Sequence, residues 1–159
     1  MAAQVVRELE SVGGLAEARI ATVARRHGLS HAALNALAVI EGGGAPVAVG
    51  SVGAAMHVTS GTMTSVLDTL ERNGFVQRLT DPDDRRRVLV DVTPVAQAVL
   101  DLVLPEVVRT ATAVLAGVED AELHQFLATL ARIRLAIGDL PDDLGPAAPR
   151  RTPPGLKRS

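Results

Sequence analysis

Apolar residues recur every third or fourth position over most of this chain, and two short runs with a different pattern interrupt that period. From Gln4 to Arg26 the positions Val5, Leu9, Val12, Ala16, Ile20 and Val23 form one helical stripe, weakened at Gly13-Gly14. Ser30 is a good N-cap for a second helix carrying Leu34, Leu37, Ala38 and Ile40, which stops at Gly42-Gly43-Gly44 ahead of Pro46. A short helix from about Gly50 to His57 is weak by propensity because it holds two glycines. Thr59 or Ser60 opens a stronger one, with Met63, Val66, Leu67 and Leu70 on one face, and Asn73-Gly74 ends it.

Phe75–Leu79 and Val88–Val92 are short β-type runs, and the polar segment Thr80-Asp81-Pro82-Asp83-Asp84-Arg85-Arg86-Arg87 between them is turn-forming, so the pair predicts a hairpin. Thr93-Pro94 restarts a helix as N-cap and first-turn proline. Val95, Val99, Leu102 and Val103 continue its stripe, Pro105 is a candidate kink, and Gly117 breaks the pattern. A final helix begins near Glu119 with Leu123, Phe126, Leu127, Leu130, Ile133 and Ile137. Residues 139–159 are rich in Pro and Arg and are expected to form a flexible tail. The fold class is therefore mainly α: a winged helix-turn-helix with a small β-hairpin wing, flanked by N- and C-terminal helices.

Composition narrows the chemistry. With two Phe and no Tyr or Trp, the core must be built from aliphatic side chains, and base-stacking platforms are excluded. The absence of Cys excludes disulfides, thiol nucleophiles and Cys-ligated zinc. No apolar run is long enough to span a membrane and the N-terminus does not resemble a signal peptide, so a cytoplasmic protein is expected. His27 and His31 are four apart but are expected to be split by the Gly28 helix break, and no nucleophile elbow or phosphate-cradling glycine loop is present; neither a metal, nor a cofactor, nor an enzymatic activity is expected. The net charge of -2 does not favour nucleic acid. Without Arg150, Arg151, Lys157 and Arg158 near the C-terminus the rest of the chain carries about -6, so any DNA-binding function depends on where individual arginines stand.

Two segments meet that requirement. Thr59, Ser60, Gly61, Thr62, Thr64 and Ser65 place small and hydroxyl side chains at the start of the fourth helix, where a recognition helix enters the major groove. Arg85, Arg86 and Arg87 sit at the tip of the hairpin, where a guanidinium can enter a narrow minor groove. One of the aspartates before them could orient an arginine.

Leu29-Ser30, Thr59-Ser60-Gly61-Thr62-Met63-Thr64, Leu67 through Val76, Asp81 through Arg87 and Val90-Asp91-Val92-Thr93-Pro94 together resemble the MarR-type transcription regulators, over about residues 4–138. The resemblance implies a single domain over residues 1–138, with a DNA-binding lobe at about 30–92 and dimerisation helices at about 4–26 and 94–137. It implies a homodimer on a pseudo-palindromic double-stranded operator, acting as a repressor that a small aromatic or anionic effector releases. Arg86 would enter the minor groove with Asp84 bracing it, and Arg85 and Arg87 would meet the backbone. Arg26 and the nearby His27 and His31 are the candidates for an effector pocket. The chain departs from the family in its hydroxyl-only recognition helix and in the glycine-bearing Gly50–Ala55 segment. A winged-helix dimer serving as a protein-interaction module is the alternative.

Overall fold

A computed structural model describes residues 1–44 and 46–140. The remainder of the expected tail, 141–159, lies outside the described residues. The chain divides into two units, Met1–Ala116 and Gly117 onward.

The first unit opens with α1 (Ala2–Arg26), followed by α2 (His31–Gly42), β1 (Val47–Ala48), α3 (Val49–Met56), α4 (Ser60–Arg72), β2 (Val76–Thr80), β3 (Val88–Val92) and α5 (Pro94–Val114). The expected caps do their work: the hydroxyls of Ser30, Thr59 and Thr93 accept the amides of Ala33, Thr62 and Ala96. Thr93 also donates to the Gly74 carbonyl at 2.6 Å, tying the start of α5 to the turn that ends α4.

Three helix exits share one closure. Leu29 N–H donates to Ala24 O, Val58 to Gly53 O and Phe75 to Leu70 O, each reaching back five residues. Such a closure needs a left-handed residue, supplied by Gly28 (φ 74°), His57 (φ 54°) and Gly74 (φ 73°). His57 takes the strained backbone without the freedom of glycine.

The core lies among α2, α4, β3 and α5. Leu37 and Ile40 of α2, Leu67 and Leu70 of α4, Val90 at the sheet centre and Leu100 and Val103 of α5 are all fully enclosed. Gly53 is buried where α3 meets α4, and a Cβ there would stand 3.7 Å from Met63 Cβ, an ordinary contact distance.

The glycines of α1 and the inner proline of α5 leave their helices continuous, as the periodicity predicts, and the sheet gains a strand beyond the expected hairpin. Helix α1 runs unbroken through Gly13 and Gly14, which have open space around them. Two exposed glycines cost about 1 kcal/mol each against alanine, too little to interrupt a helix of 25 residues. Pro105 lies inside α5 without ending it. The wing is the expected hairpin, with Val76 opposite Val92 and Thr80 opposite Val88, but the sheet has three strands in the order β1-β3-β2. The third strand, two residues directly after Pro46, is too short to leave a periodicity; Val47 pairs with Val90.

The second unit contains α6 (Asp120–Gly138). Its start is closed by the Glu119 N–H donating to Glu122 Oε2 at 3.1 Å, and it bears Phe126, Leu127, Leu135 and Ile137 exposed.

Candidate nucleic-acid interface

α3 and α4 form the helix-turn-helix, joined by the tight His57-Val58 turn. At the start of α4, Thr59, Ser60, Gly61, Thr62, Thr64 and Ser65 are all exposed, while Met63 and Leu67 hold the helix from behind. The hydroxyls differ in what they offer. Thr59 Oγ1 accepts the Thr62 amide and lies 3.0 Å from Thr62 Oγ1. Thr64 donates back to the Ser60 carbonyl at 2.9 Å. Among the described residues, the Ser60 and Ser65 side chains have no hydrogen-bond partner.

The wing turn is built by its aspartates. Asp81, the buried charged residue of this lobe at 7% exposure, accepts the Asp83 amide on Oδ1 at 2.9 Å and places Oδ2 3.6 Å from Arg87 Nη1. Asp84 accepts the Arg86 amide on Oδ1 at 2.9 Å, and its carbonyl accepts the Arg87 amide. Asp84 therefore holds the backbone of Arg86, and the ion pair within the wing is Asp81–Arg87. Arg85, Arg86 and Arg87 are exposed.

Recognition helix and wing open on one groove of about 800 Å³, lined on one side by Thr64 and Asp68 and on the other by Arg86, Arg87 and Val88. Arg78 of β2 stands between them. Its Nη2 donates to Asp68 Oδ1 at 2.6 Å and its Nη1 to Glu71 Oε2 at 2.5 Å. The hydrogen bond to Asp68 raises its pKa above the ordinary arginine value, against a lowering by partial burial. This cation was not among the expected site residues. Its signal was faint: an arginine in a strand, and two carboxylates three residues apart on a helix, give no hint of each other until the hairpin folds back.

The candidate effector residues separate. Arg26 Nη2 pairs with Glu106 Oε2 at 2.8 Å and His27 Nε2 lies 3.3 Å from Glu106 Oε1, joining the end of α1 to α5. His31 is held instead by Glu17, at 3.1 Å. Arg26 also lines a cleft of about 650 Å³ between α1 and α5, together with Arg19, Glu106 and Arg109. Among the described residues no cluster of three metal-ligating side chains occurs, and no helix is long and apolar enough to cross a membrane.

Residues 44–88, from the loop before β1 to the first residue of β3, match the model of the MarR family. The HTH-type transcriptional repressor YetL of Bacillus subtilis is 34% identical over 74 residues, which cover 46% of this chain and 44% of that protein. The chain thus spans less than half the length of this and the other first curated relatives it matches. The HTH-type transcriptional regulator PecS of Dickeya dadantii is 28% identical over 81% of this chain and 79% of its own. Among solved structures, CouR of Rhodococcus jostii, bound to p-coumaroyl-CoA, superposes with a TM-score of 0.76 at 25% identity, covering 81% of this chain and 90% of that one. YetL and PecS are transcription regulators. The winged segment thus matches the MarR family, and the fold over most of the described length is similar to that of a MarR-family transcriptional regulator from Silicibacter pomeroyi, at 29% identity and a TM-score of 0.70 over 81% of this chain and 86% of that one.

Proposed function

We propose that this protein is a dimeric DNA-binding repressor that a small anionic or aromatic ligand releases from a pseudo-palindromic operator. The observation that carries the DNA-binding part is the shared groove: Thr64 of α4 and the wing arginines Arg86 and Arg87 border the same opening. A recognition helix in the major groove with a cationic wing beside it needs that placement. Thr59, Ser60, Gly61, Thr62, Thr64 and Ser65 face the major groove in this reading, Arg86 enters the minor groove, and Arg85 and Arg87 meet phosphates. Asp84 fixes the backbone from which Arg86 projects.

The domain is read as one unit over 1–138, with α1, α5 and α6 as dimerisation helices. In support, no residue of α1 before Val23 is buried, and Val5, Val6, Val12 and Leu15 are exposed on it. The cleft bearing Arg19, Arg26 and Arg109 suits an anionic effector, in keeping with the acyl-CoA bound by CouR. His27 shares Glu106 with Arg26 at the rim of this region, and His31, held by Glu17, is less suited to bind the effector.

Binding to random-sequence duplex across a salt titration tests the reading. A marked loss of affinity with rising salt is expected, with a weaker response for Arg86→Ala. No binding at low salt, or indifference to replacing Arg85, Arg86 and Arg87 together, would overturn it. The second reading, a winged-helix dimer that binds protein, is favoured by the acidic balance of the chain outside its C-terminal arginines and lysine. It predicts a dimer with no duplex affinity at any salt concentration.

A further inference from the structure

The recognition helix offers DNA an unusual surface, and its hydrogen bonds say what that surface can read. Side chains that identify guanine or adenine by paired hydrogen bonds are Arg, Lys, Asn and Gln, and none stands among the exposed residues from Thr59 to Ser65. The threonine hydroxyls there are already engaged within the helix. Thr64 donates to the Ser60 carbonyl, and Thr62 shares a hydrogen bond with the cap hydroxyl of Thr59. A threonine bonded back to its own helix leaves its γ-methyl as the outward group. Gly61 between them has open space where a Cβ would stand, so a base edge can approach closely.

The base-edge group that matches an outward methyl is the 5-methyl of thymine, which lies in the major groove. We propose that Thr62 and Thr64 read thymine methyl groups by apolar contact, with Gly61 admitting the base edge, so that the preferred half-site carries thymines opposite the first two turns of α4. This rests on the DNA-binding reading and assigns what that site recognises. Ser60 and Ser65, whose hydroxyls are uncommitted, add donors that tolerate several bases.

The test uses the full chain and duplexes recovered by affinity selection from a random-sequence library. In the recovered site each thymine is replaced in turn by deoxyuridine, which removes the major-groove methyl and leaves the minor groove facing the wing unchanged. Loss of a contacted methyl is expected to weaken binding about fourfold per position. Thr64→Ser, which keeps the hydroxyl and lacks the methyl, should bind the thymine and deoxyuridine duplexes alike at its own position, and Thr62→Ser likewise at another. Placing 5-methylcytosine there in a C·G pair should recover part of the affinity. If sites are recovered and bound but deoxyuridine changes nothing, the methyl reading is overturned while DNA binding stands. If no duplex of any sequence is bound, both fall together.

Discussion

The guanidinium of Arg78 lies 2.6 Å from the Asp68 carboxylate and, through its other nitrogen, 2.5 Å from that of Glu71, so one residue of β2 pairs with two carboxylates of the recognition helix and offsets half of their charge. Asp68 and Arg78 line the same groove as Arg86 and Arg87. Unmasked carboxylates in that groove would repel a phosphate backbone at close range.

Arg78→Ala should therefore weaken duplex binding at least tenfold at low salt, more than the loss of one phosphate contact. Asp68→Asn with Glu71→Gln in the same background should restore most of it, since the repulsion is then gone. Anisotropy titrations of all three proteins decide the matter; an Arg78→Ala protein that binds like the parent rules out masking. Folding stability should fall by only about 1–2 kcal/mol, because partly exposed ion pairs contribute little. The raised pKa keeps Arg78 charged: the contribution of the pair is present at all neutral pH values and is lost only as pH climbs through the folded-state value.

Asp81 holds the wing from inside. Asp81→Ala removes the acceptor of the Asp83 amide and the partner of Arg87, and should cost about 1–2 kcal/mol by leaving a turn amide unpaired. Hydrogen exchange at Asp83 and Arg87 should quicken while the amides of α2 and α4 stay protected. Equal loss of protection throughout would mean that Asp81 supports the whole lobe and not its wing.

His57 occupies the left-handed position that glycine fills at Gly28 and Gly74. His57→Gly relieves a strained backbone and should raise stability by up to about 1 kcal/mol, net of the entropy glycine brings to the unfolded chain. The mirror changes Gly28→Ala and Gly74→Ala should destabilise by a similar amount. Urea midpoints give the sign directly, and a destabilised His57→Gly would reveal a contact by the imidazole.

The exposed stripe on α1 bears on assembly. Val12→Asp with Leu15→Asp changes side chains that take no part in the lobe core, so the helical content and the buried core should survive. Light scattering should then report a monomer where the parent is a dimer. If the parent is itself monomeric at micromolar concentration, the dimer is wrong and the stripe needs another explanation.

What the sequence made legible was the local chemistry. A cap and the amide it accepts from lie within three residues, so Ser30, Thr59 and Thr93 could be read directly, as could the Asn73-Gly74 exit. The wing turn was readable as a turn, but the division of labour within it was not. Asp81 and Arg87 are both charged residues in a charged run, and only the folded hairpin buries one of them. Arg78 was invisible because its partners lie on another element, and β1 because two residues cannot show an alternation.

The pairing of Val47 with Val90 brings together distant parts of the lobe. The hairpin of β2 and β3 closes over a short turn, and each helix forms from near neighbours. Seating β1 beside β3 instead joins residues about 40 positions apart, and the entropy of closing so long a loop places that step late in folding. β1 is an edge strand of two residues, held in the sheet by two paired positions against five between β2 and β3. Slippage there would tilt the arginine-bearing tip while the hydrophobic centre remains intact, so that a partly loosened molecule could lose its grip on a partner well before it loses its fold.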